Sequence, residues 1–246
     1  MKMKFLLPLS IIFLAIVSFS CRNYQDSKPL NSEKIISVNY SSEQSPPKDP
    51  INFVEYKIVI NKSLPKYSFN LYTHDDSLYT YYDSIVVKDS SHKILQTINI
   101  YDKLADSKIY SVKQLKFELN FLDFNFDDVK DIALERDRGA TGNCWNNIYL
   151  YENNLDKFSY NYQMSELCLP SVDSLKEQII SFHQAGGDNY TYYFYKWDKN
   201  KLILIREVQY WKNNVDPYQR RVELRRINGK MKTVSNKIVT DDSDDP

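Results

Sequence analysis

The sequence is poor in the residues on which most small-site chemistry is built. Its 246 residues include three histidines, three cysteines and five glycines. That scarcity excludes most zinc, thiol-cluster and glycine-rich phosphate architectures. Neither sign of charge is in surplus: 32 basic residues balance 32 acidic ones, so no bulk field recruits nucleic acid. His74, His92 and His183 have no metal-ligand spacing, and Gly-x-Ser-x-Gly is absent. Hydrophobic residues at 42% and aromatics at 14% argue for a folded chain, long enough for one large domain or two small ones.

The first twenty residues read as an export signal. Lys2 and Lys4 form a charged start, Phe5 to Phe19 are almost wholly apolar, and small Ser18 and Ser20 precede Cys21. The apolar run is short for a membrane-spanning helix, which needs ~20 residues. A cysteine directly after the small-residue site resembles the bacterial lipobox, although Phe19 and a missing leucine depart from its pattern. The resemblance implies that Cys21 is acylated and holds the protein on a membrane, each buried CH₂ contributing about 0.8 kcal/mol. The alternative is an ordinary secretory signal that contains a cysteine. The anchor implied by the resemblance places the chain in the bacterial cell envelope, on the periplasmic or the cell-surface side.

Residues 21–50 read as a tether. Ser41 to Pro50 carries three prolines and no apolar periodicity, so it cannot offset the entropy of folding. Ile35, Ile36 and Val38 offer at most a short strand. Asp241, Asp242, Asp244 and Asp245 make an acidic tail over 241–246. One β domain is therefore expected over 51–240.

Within it, short runs of β-branched and aromatic residues alternate with polar turn formers, which predicts an all-β fold. Candidate strands are 54–60, 67–72, 84–88, 93–100, 115–122, 131–137, 147–152, 157–163, 178–185, 190–198, 201–210, 219–227 and 230–238. Four hairpins share one plan, polar turn residues followed by a lysine and an apolar residue: 87–95, 151–158, 197–202 and 226–231. Asn228-Gly229 is the strongest turn signal. Ser174-Leu-Lys-Glu177 is a capping-box pattern that allows one helical turn. An antiparallel meander of such hairpins closes as a propeller-like fold, a sandwich or a barrel.

The one chemical motif lies at Leu122-Asp123-Phe124-Asn125-Phe126-Asp127-Asp128-Val129-Lys130-Asp131-Ile132. Asp123, Asn125, Asp127 and Asp131 place oxygens at positions 1, 3, 5 and 9, and Val129 can add its carbonyl at position 7. Calcium takes six to eight oxygens at roughly 2.3–2.6 Å, which a tight loop supplies from alternate residues. Leu134 stands where an EF-hand needs glutamate, and both flanks read as strands. The simpler alternative is a polar turn with its carboxylates in water.

The pattern resembles the calcium loop of FG-GAP repeats, with Asp128 in place of the usual glycine. The blocks Lys93 to Ile98, the acidic loop, Gly139-x-x-Gly-Asn143, Tyr149-x-Tyr151, Phe158 and Tyr195-x-Trp197 follow the order of a family of exported bacterial proteins. That resemblance covers roughly 85–210. It implies a β-propeller-like fold with one calcium site, in a family that includes an inhibitor of a secreted peptidoglycan-degrading effector. The expected partner is then a lysozyme-like hydrolase, bound and neutralised without catalysis. No inhibitory residue is carried over.

Cys144 and Cys168 remain as a pair, and in an oxidising compartment a disulfide stapling Gly139–Asn147 is expected, with two separate thiols as the alternative. Tyr190, Tyr192, Tyr193, Phe194, Tyr195 and Trp197 put aromatics on both faces of one strand, as core or as a surface that grips a partner or stacks on sugars. Arg220, Arg221, Arg225, Arg226, Lys230 and Lys232 concentrate charge in the last hairpin, either as a solvated edge or as a contact for anionic polymer or lipid. Two further functions stay open: a glycan- or surface-binding module without inhibitory activity, and a glycoside hydrolase using an acidic pair among Asp75, Asp76 and Asp102.

Overall fold

The computed structural model describes residues 52–101, 108–115, 117–212 and 218–239, and the backbone of 33–37. The signal segment, Cys21, most of the tether, Asp102 and the acidic tail lie outside the described residues. The rest is an antiparallel meander in three sheets, none closed into a barrel.

The first sheet contains β1 (Glu33–Ser37), β2 (Asn52–Ile58), β3 (Tyr67–Asp75), β4 (Tyr79–Lys88) and β5 (Ile94–Asn99), with β6 (Tyr110–Val112) paired to the start of β4. The middle sheet runs β10 (Lys157–Tyr160), β9 (Cys144–Glu152), β8 (Asp131–Arg138) and β7 (Leu119–Leu122). The third runs β11 (Ser171–Asp173), β12 (Gln178–Gly186), β13 (Asn189–Asp198), β14 (Lys201–Trp211), β15 (Gln219–Ile227) and β16 (Lys230–Val239). A single helical turn, α1 (Tyr162–Ser165), follows β10.

Side-chain alternation on β8 and β9 makes the middle sheet the centre of the molecule. Ile132, Leu134, Tyr149 and Tyr151 face the first sheet and pack with Phe69, Tyr82 and Ile85. Ala133, Ile148 and Leu150 face the other way, against Phe124, Met164 and Ile179. Because both faces are covered, these strands read as continuous apolar runs rather than as clean alternation.

Glycine scarcity is met by other residues at the left-handed corners. The four related hairpin turns place His92, Asp156, Lys199, Asn200 and Asn228 at φ of 65°, 49°, 46°, 62° and 53°. Asn228-Gly229 and Lys199-Asn200 have positive φ at both central positions, the geometry that matches strand twist.

The short strand allowed near Ile35 and Ile36 forms as β1, which pairs antiparallel with β2, Glu33 opposite Lys57. Two expectations need correction. The capping-box segment 174–177 forms a turn, not a helix. The helical turn sits instead inside the expected strand 157–163, because Asn161 caps it by accepting the Met164 N–H at 3.0 Å. Ser165 Oγ then donates to the Asn161 carbonyl at 2.8 Å and accepts the Ile148 N–H at 2.9 Å, locking the turn onto β9.

Candidate functional site

The loop between β7 and β8 brings Asp123, Asn125, Asp127, Val129 and Asp131 together, and local hydrogen bonds explain its shape. Asp123 accepts the N–H of Asp127 at 3.1 Å and of Asp128 at 2.9 Å on its two oxygens. Asp127 accepts the Val129 N–H at 2.9 Å and the Asn125 side-chain amide at 3.1 Å. Asp128 adopts φ +63°, as its place in the motif requires. Phe126 adopts φ +61° as well, a conformation that costs a bulky residue about 1–3 kcal/mol.

Two anchors the motif does not reveal hold the loop to the first sheet. Asn61 Nδ2 donates to the Asp128 carbonyl at 2.8 Å, and the Lys130 N–H donates to the Ile60 carbonyl at 2.8 Å. Both come from the β2–β3 connection, more than sixty residues away in sequence, so no local pattern signals them. Phe124 and Val129 are buried on either side of the loop, in different clusters.

Asp131 is the deepest member, with 0% exposure. Its oxygens accept the Phe124 N–H and the Tyr151 N–H, both at 2.8 Å. Burial pushes its carboxyl up to about 8; the two N–H bonds oppose the shift, and the charges of Asp127 and Asp123 add to it. Asp123 is raised too, again chiefly by burial. Burial and neighbouring carboxylates thus both disfavour the charged forms of Asp123 and Asp131.

Among the described residues, no group of three or more His, Cys, Asp or Glu side chains is gathered tightly enough to hold a metal ion. The carboxylates are turned instead toward backbone amides. One observation runs the other way: Asn125 Oδ1 is buried and has no hydrogen-bond partner. A carboxylate has about four lone-pair sites, so an N–H bond to each oxygen leaves room for a cation. The donor set thus suits a hard cation in chemistry, while the loop as it stands is closed on itself.

The other candidates are placed as follows. Cys144 and Cys168 are both buried. Their segments are neighbours, since the Leu169 N–H donates to the Cys144 carbonyl at 2.7 Å, but Trp145 rather than Cys144 stands opposite Cys168.

Asp75 ends β3 and Asp76 opens the turn to β4. Asp75 accepts from Thr80 Oγ1 at 2.6 Å, while Asp76 accepts the N–H groups of Tyr79 and Leu78 at 2.6 and 2.7 Å. Those two amides hold the Asp76 carboxyl below its usual value. An open cleft beside α1 is lined by Tyr162, Tyr195, Lys201 and Arg226, with Glu166 its one carboxylate.

The tyrosine-rich strand β13 divides its aromatic residues between two faces. Tyr195 and Trp197 pack toward the middle sheet. Tyr190, Tyr192 and Phe194 point to the other face and pack with Val208 and Tyr210 of the same sheet.

No family model matches the chain, and no curated protein matches it. Its fold is similar to that of a solved structure described as a Xanthomonas type IV secretion system related protein. The TM-score is 0.53 at 15% sequence identity, over 73% of this chain and 97% of that one. At that identity the likeness speaks for the fold.

Proposed function

We propose that this is a non-catalytic docking protein of the bacterial envelope, stiffened by calcium and neutralising a lysozyme-like hydrolase. The observation that carries the calcium part is the unpartnered, buried Asn125 Oδ1 beside three carboxylates in one loop. Asp123, Asn125, Asp127 and Asp131 would hold the ion with the Val129 carbonyl. The ion supplies positive charge; the chain's own residues do the positioning. Asp131 ties the loop to β9 and Asn61 ties it to the first sheet. A loop held in this way presents its surroundings in one conformation, so little ordering entropy opposes binding.

The export signal, the expected acylation of Cys21 and a fold shared with a secretion-system related protein support the envelope setting. The inhibitory part rests on the family resemblance of the loop and block order. It is tested by pull-down from envelope extract with peptidoglycan hydrolases, scored by loss of lytic activity. Capture of purified glycan with no protein partner would replace it by a glycan-binding role.

Calcium should raise the melting temperature of the wild-type protein relative to chelator by several degrees. Asp127→Ala should abolish that rise, while losing a further ~1 kcal/mol in both buffers from its broken turn bond. A wild-type protein that melts at one temperature in both buffers refutes the ion.

A further inference from the structure

The third sheet packs one face on the middle sheet and, among the described residues, builds the other from its own strands, with Phe194, Val208 and Tyr210 buried among Ile180, Tyr190, Tyr192 and Ile205. Strand register orders this second face into rows. One row runs Phe194, Arg206, Arg225, Lys232; the next runs Tyr192, Val208, Glu223, Ser235. The first therefore sets three cations side by side across β14, β15 and β16. Like charges directly opposite each other destabilise a sheet.

A single carboxylate answers the two arginines of that row and Arg221 as well. Glu223 Oε1 accepts from Arg206 Nε at 3.0 Å and Arg225 Nε at 2.7 Å, and its Oε2 accepts from Arg221 Nη2 at 2.9 Å. No ion pair is formed by Lys232 among the described residues. Three guanidiniums thus meet one carboxylate, and Lys232 stands in the same row as two of them. The guanidiniums are also held by aromatic faces: Arg206 lies 4.7 Å over the Phe194 ring and Arg221 lies 5.9 Å over Tyr210. Arg225 keeps its side chain 59% exposed.

We infer that this face docks an acidic polypeptide surface, whose carboxylates complete the neutralisation that Glu223 begins. The complementarity is one of charge and of shape. Guanidiniums pinned by a carboxylate and by rings present fixed forks that match carboxylates two bonds at a time. Tyrosine and arginine together are the side chains that dominate protein–protein contacts. A lipid surface is served as well by mobile lysines and needs no such anchoring. The inference rests on the reading of the protein as a docking module, and stands or falls apart from its calcium and inhibitory parts.

The test uses fluorescent poly-L-glutamate and the purified protein in chelator, followed by anisotropy. Arg225→Glu with Lys232→Glu, both on the exposed end of the hairpin, should weaken binding at least tenfold. Lys93→Glu on the first sheet should leave it within twofold. Glu223→Gln should tighten binding several-fold despite a lower melting temperature, because the internal competitor is removed. The inference is overturned if the double reversal behaves like Lys93→Glu, or if Glu223→Gln weakens binding. It is equally overturned if phosphatidylglycerol vesicles bind as well as poly-L-glutamate with the same loss in the double variant. Binding seen only after removal of residues 240–246 would make the chain's own acidic end the occupant and sink the idea. Because no hydrolase or calcium is present, failure here leaves the proposed function untouched.

Discussion

Asp131→Ala should destabilise the protein by about 4 kcal/mol. The carboxylate has 0% exposure and takes up two backbone N–H groups, those of Phe124 and Tyr151. Alanine leaves both donors buried without acceptors, at about 1–3 kcal/mol each. For a folded region of this size the expected fall in Tm is about 8–16 °C. Asp131→Asn keeps one acceptor oxygen and turns an NH₂ toward the other donor, so its loss should be about half as large. The loss should persist in chelator, which separates this role from any bound ion. Chemical denaturation of the three proteins in chelator checks it, and a loss below 1 kcal/mol for alanine would mean that the loop rebuilds around water.

Glu223→Gln is the second large effect. Burial alone would raise this carboxyl, but hydrogen bonds from Arg225, Arg221 and Arg206 outweigh it and hold it at about 2. Removing the charge leaves three guanidiniums around a neutral amide. Breaking a buried pair this way costs about 3–5 kcal/mol, and the exposure of Arg225 reduces the expectation to about 2–3 kcal/mol. The pH dependence has a definite sign. A carboxyl depressed on folding contributes stability above its unfolded value, 4.5, and loses it as pH falls toward 2. The gap between wild type and variant should therefore be full at pH 7, narrow below pH 4.5 and close near pH 2. A gap that stays constant over that range would assign the loss to packing rather than charge.

Much of the fold was legible because strand signals are local. Every expected strand from β2 onward has a counterpart, and the turns at 199–200 and 228–229 carry the residues their geometry needs. The misses have physical causes. β4 begins at Tyr79, five residues before the expected strand, because Tyr79 to Asp83 reads as polar; cross-strand packing of Tyr81 on His74, stacked at 4.9 Å, stabilises what composition does not signal. β6 and β11 are three-residue strands with no periodicity to detect. The turn at 162–165 depends on Ser165 meeting β9, a partner seventeen residues away.

The candidate loop divides in the same way. Spacing brought Asp123, Asn125, Asp127 and Asp131 into one loop, and the left-handed corner at Asp128 followed from the motif. That Asp131 reaches Tyr151 of β9 and that Asn61 clamps the loop depend on contacts with segments distant in sequence.

By itself, the order of residues determined an all-β chain and one oxygen-rich loop, because propensity, turn chemistry and spacing act over a few positions. Only the tertiary structure decided which faces are covered, which cations share a row and which carboxylate answers them. Those relations are set by strand register, and register places residues beside one another that the chain keeps far apart.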